Sequence, residues 1–125
     1  MRKWFMPLGL MALSALAAVS DFEASAAAQT GMLGDLRKFE IIAGDTLKLI
    51  GKGQLKDARK RITDFETAWD KAEPELFARD KKAWSAIDDA ADAAIGSLRA
   101  PKPTEVDARK TVSALIDALK HPATE

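Results

Sequence analysis

The chain of 125 residues has no cysteine, no tyrosine and a single histidine, His121. No cysteine means no disulfide framework, no thiolate metal site and no thiol nucleophile. It also closes the common bacterial lipoprotein route, which lipidates a cysteine after the leader. One histidine near the C-terminal end supports neither a histidine metal centre nor a Ser-His-Asp set. Met32 is the only methionine beyond the first 28 residues, so a copper or haem site built from His and Met is not expected. No Glu-x-x-His pair, phosphate loop or dinucleotide fingerprint occurs. These gaps remove most general acid–base chemistry near neutral pH, and no enzyme is expected.

Excess charge is missing too. Nineteen Lys and Arg balance nineteen Asp and Glu. Bulk electrostatic attraction to nucleic acid is therefore not expected. Mixed charge suits a solvated helical surface.

The first 28 residues have a secretory layout. Arg2 and Lys3 precede an apolar run from Leu8 to Val19. Small-residue sites follow at Ala24-Ser25-Ala26 and Ala26-Ala27-Ala28. The run is shorter than the ~20 residues a spanning helix needs, so residues 1–28 read as a signal peptide. Cleavage is expected after Ala26 or Ala28, with Ser20 as the alternative. The protein is expected to be periplasmic or secreted, with no stable membrane insertion once the leader is gone. Residues 29–125 form one small helical domain that depends on packing for its stability.

Four apolar stripes with three- and four-residue steps follow. The first, over about Leu33 to Ile50, uses Leu36, Phe39, Ala43, Leu47 and Ile50. Gly51 and Gly53 stop it. The second, over about Leu55 to Ala72, uses Leu55, Ala58, Ile62, Phe65, Trp69 and Ala72. Pro74 is expected to prevent its continuation. The third begins between Pro74 and Asp80 and runs to about Arg99, through Trp84, Ile87, Ala91, Ala94 and Leu98. Pro101-Lys102-Pro103 breaks it. Thr104 and Asp107 give a capping box for the fourth, whose stripe is Ala108, Val112, Leu115 and Leu119. His121-Pro122 ends it. Short connections predict antiparallel neighbours. The expected fold is all-α, an up-down-up-down four-helix bundle after an N-terminal signal peptide. The alternative is a hairpin of the second and third helices completed by a second copy or a partner.

Three constellations stand out. In a hairpin turning near Leu76, Trp69 and Trp84 lie at one level with Leu36. They either line an aromatic pocket for an apolar ligand or seal one end of the core. Lys48, Lys52, Lys56, Arg59, Lys60 and Arg61 surround the first turn, and cations at the start of a helix oppose its dipole. They either bind an anion or pair across helices, where Asp88, Asp89 and Asp92 are expected near Asp64, Arg61 and Lys60. Glu66, Asp70 and Glu73 fall on one helical face, with oxygen ligands suited to a divalent or ferric ion. Arg79, Lys81 and Lys82 are close enough in sequence to neutralise them instead.

The pieces GQLKDARKRITDFETAWD, AWSAIDDAADAAIGSLRA and a final short helix resemble small exported helical-bundle proteins of unassigned function. They also resemble the extracytoplasmic helical segment of high-affinity iron permeases. Trp69 with Glu73, and Trp84 with Ile87 and Asp88, carry that second likeness. Permease membrane helices are absent, so what this resemblance implies is a metal-related accessory role. The expected function is binding or interaction, with a protein partner or by self-association. The alternative is a carboxylate metal-binding accessory domain of an iron or divalent-cation transport system.

Overall fold

The computed structural model describes residues 32–122. The expected leader and its expected cleavage sites at Ser20, Ala26 and Ala28 lie outside them. The described residues form four α-helices and no strand: α1 (Arg37–Gly51), α2 (Leu55–Arg79), α3 (Lys81–Arg99) and α4 (Glu105–Lys120). None is long and apolar enough to cross a membrane.

Helix α1 starts four residues later than its apolar steps predict. Gly34 sits at φ +82, a left-handed conformation that interrupts a helix. Leu33 and Leu36 remain buried at 2% and 4% exposure, so both join the core from outside the helix. Just before α1, Asp35 accepts from the Arg37 backbone N–H and from its guanidinium. The side-chain bond to Arg37 is the main cause holding the Asp35 carboxyl down at about 2. At the other end Gly53, at φ +75, closes a Schellman turn. Its N–H reaches the Ile50 carbonyl, and the Gln54 N–H reaches that of Leu49, both at 2.9 Å.

Helix α2 overturns the expected stop at Ala72. It runs through Pro74 to Arg79. Proline removes one backbone bond and crowds the preceding turn, but its own position here is exposed. The residues beyond it are anchored. Leu76 is buried, the Phe77 ring meets Trp84 edge-on at 5.4 Å, and Arg79 pairs with Glu75 at 2.6 Å. The chain then reverses at one residue, Asp80, rather than near Leu76. Asp80 ends α2 and caps α3, its carboxylate accepting from the Ala83 N–H at 3.0 Å. Helix α3 stops at the two prolines, and Thr104 caps α4 as its sequence predicts, accepting from the Asp107 N–H.

Each helix packs on two others: α1 on α2 and α4, and α3 on α2 and α4. The shared core holds the four stripes. Thr46 takes the buried place on α1 that Leu47 was expected to fill, and Leu47 is half-buried. The Thr46 hydroxyl donates to the Ile42 carbonyl at 2.9 Å, which satisfies it.

The core exposes an internal repeat. Asp57-Ala58-Arg59-Lys60 at the start of α2 recurs as Asp107-Ala108-Arg109-Lys110 at the start of α4. Buried Ala58, Ile62, Phe65 and Trp69 match buried Ala108, Val112, Leu115 and Leu119 in spacing. Phe39, Ala43, Thr46 and Ile50 of α1 match Ile87, Ala91, Ala94 and Leu98 of α3 in the same way. Two similar hairpins thus share one core, the first supplying rings where the second supplies alkyl groups.

Candidate functional site

Every aromatic ring of the described residues lies in one connected group. Phe39 meets Phe65 at 5.9 Å and Trp69 at 5.1 Å, both edge-on. Trp69 and Trp84 stack at 6.1 Å with 7° between their planes. The expected pairing of the two indoles is therefore present. The partner from α1 is Phe39, one turn on from Leu36. The rings fill the space between the helices with one another. Trp69 is buried, and Trp84 is half-buried at the edge of the group.

The two indole nitrogens differ. Trp69 Nε1 donates to Asp88 Oδ1 at 3.1 Å. Trp84 Nε1 is buried with no hydrogen-bond partner. Burial is the main cause raising the Asp88 pKa; the Trp69 bond opposes it, and the nearby charges of Asp92, Asp89 and Glu73 add to the rise. Asp88, Asp89 and Asp92 bring one carboxylate oxygen each within 4.8 Å of one another.

The sequence-derived acidic face fares differently. Glu66 Oε1 accepts from Arg99 Nη2 at 2.7 Å, and the same guanidinium donates to Thr63. Asp70 and Glu73 on α2 are exposed. Arg99 of α3 thus neutralises Glu66, while Arg79 pairs with Glu75.

The cross-helix pairing expected for the basic cluster is present at Arg61, with Asp45 of α1 as the partner in place of Asp88, Asp89 or Asp92. Arg61 binds Asp45 of α1 and Asp64 of its own helix, both at 3.0 Å. Asp88 is engaged with Trp69 instead. Lys48, Lys52, Lys56, Arg59 and Lys60 are exposed and form no ion pair among the described residues. In the second hairpin Lys102 and Lys110 are also exposed and, among the described residues, unpaired, while Arg109 pairs with Glu105. The guanidinium groups of Arg61, Arg99 and Arg109 are thus committed within the fold, while the ammonium groups around them are free. Sequence reasoning found the first hairpin's cations but missed those of the second. The repeated Asp-Ala-Arg-Lys was the available signal.

Comparison with protein families, with characterised proteins and with solved structures finds no match to this chain.

Proposed function

We propose that this is an exported, non-catalytic helical bundle of up-down-up-down course that works by binding a partner through its charged surface. The course is supported by contacts between helices. Arg99, in the last turn of α3, reaches Thr63 and Glu66 in the first half of α2. Trp84, in the first turn of α3, lies against Trp69 and Phe77 in the second half of α2. Asp45 and Arg61 join the second half of α1 to the first half of α2. On this course the turns over residues 52–54 and 100–104 share one end.

The observation that carries the binding reading is the row of unpaired cations at that end. Lys56, Arg59 and Lys60 lie near the start of α2 and Lys110 near that of α4, where cations oppose the dipole. Asp57, and Glu105 with Asp107, lie in the same first turns, yet the cations outnumber them at this end. Export rests on the charged start, apolar run and small-residue sites of the leader. Its test is the intact mass of the protein from a periplasmic extract of a bacterial host. An N-terminus at Ala27 or Gln29 is expected, and full-length protein in the cytoplasm would overturn export.

The metal-binding accessory role, drawn from the resemblance to iron permeases, is the second reading. Its ligands would be Glu66, Asp70 and Glu73, of which Glu66 is held by Arg99. Calorimetric titration with calcium, manganese and ferric citrate separates the two readings. Affinity tighter than millimolar, lost on replacing Glu66 and Glu73 with Gln, would favour the metal role.

A further inference from the structure

We propose that the end of the bundle carrying the 52–54 and 100–104 turns docks on a lipid surface rich in anionic headgroups. This rests on the bundle course and binding reading above and names their partner. Lys48, Lys52, Lys56, Arg59 and Lys60 come from the first hairpin, and Lys102 and Lys110 from the second. All are exposed and, among the described residues, none makes an ion pair. Asp57 and Asp107 are exposed among them, and the seven cations outnumber them, so folding joins two basic segments far apart in the chain into one net-positive field, although the whole chain is neutral.

Three features favour a lipid surface over other anions. The free cations are nearly all lysines, while neighbouring arginines are spent on Asp45, Asp64, Glu66 and Glu105. Lysine is a point charge on a flexible stem and lacks the planar fork that reads one phosphate or carboxylate in fixed geometry. A diffuse anionic plane suits it. Second, Val106 stands 73% exposed in the first turn of α4, between Lys102 and Lys110 in sequence. An aliphatic side chain among cations matches the boundary between headgroups and acyl chains. Third, the aromatic rings of the described residues are gathered with Trp69 and Trp84, toward the other end. Among the described residues the basic end therefore has no ring on which bases of a single-stranded nucleic acid would stack.

The test is flotation of the purified protein, its N-terminus fixed by intact mass, with phosphatidylcholine vesicles and with vesicles about one-third phosphatidylglycerol. Binding to the anionic vesicles alone is expected. It should fall steeply as salt rises from about 50 to about 300 mM. Lys60→Ala with Lys110→Ala should lower the partition coefficient roughly 25-fold, about fivefold per cation. The control pair Lys71→Ala with Lys120→Ala, on the later turns of α2 and α4, should bind as the parent does. Equal binding to both vesicle types, or binding that survives the first pair with helicity intact, would overturn the proposal. Retention on an acidic protein or a nucleic acid without vesicle binding would replace the lipid partner while keeping the binding role. A leader left in place fails the export reading alone, and the mass measurement reports it separately.

Discussion

At the residue scale, Trp69 joins the most elements. Its ring touches Phe39 of α1, Phe65 of its own helix and Trp84 of α3, and its nitrogen holds Asp88. Trp69→Ala removes all of these contacts and is expected to cost about 3–5 kcal/mol in urea denaturation. An unchanged midpoint would show that the ring carries no core packing. Asp88 makes a subtler case. Burial raises its pKa, so between the ordinary carboxyl value near ~4 and the raised one the native state holds more protons than the unfolded chain. The stability linked to this group therefore falls as pH rises through that window. Asp88→Asn keeps an oxygen for the Trp69 N–H and removes the charge. The variant should be more stable than the parent at pH 7, with the gain disappearing once both are neutral in acid. A loss of stability at pH 7 that disappears in acid would instead mean that the ionised carboxylate holds the indole.

At the element scale, the helices were legible because each buries a stripe with regular three- and four-residue steps. The cap at Thr104 was legible because it needs only residues three apart. What the sequence could not decide is whether a helix crosses a proline. That depends on what lies beyond it. Leu76 and Phe77 find partners only if α2 continues past Pro74, and this tertiary gain outweighs the lost backbone bond. Pro74 is exposed, so Pro74→Ala restores that bond and removes no core contact. It should stabilise the protein by about 0.5–2 kcal/mol. A lower thermal midpoint would mean that the proline, not the anchors, sets the path of α2. The start of α1 misled for the opposite reason. Leu33 and Leu36 keep the apolar step, yet Gly34 between them turns the chain out of a helix.

At the scale of the whole molecule, the candidate sites were only half legible, because charges far apart in sequence decide them. Glu66 reads as a free carboxylate until folding brings Arg99 of α3 onto it. The basic cluster reads as local until the second hairpin adds Lys102 and Lys110. The repeat explains that addition: the same Asp-Ala-Arg-Lys start recurs where α4 takes the place α2 takes in the first hairpin. It also bears on folding. One hairpin offers a single apolar face, and burying that face requires the other, as α1 packs on α4 and α2 on α3. Asp80 is the one residue between them. Separate peptides of residues 32–79 and 81–122 should each show little helix by circular dichroism, since helices this short are marginal in water alone. Mixed at equal concentration, they should regain helix and a single cooperative melt that shifts upward with concentration. The first hairpin holds four of the five rings of the described residues, Phe39, Phe65, Trp69 and Phe77, and is the one able to break this expectation. If residues 32–79 alone melt cooperatively as a monomer, the rings suffice for a core, and the second hairpin is an addition to a domain already folded.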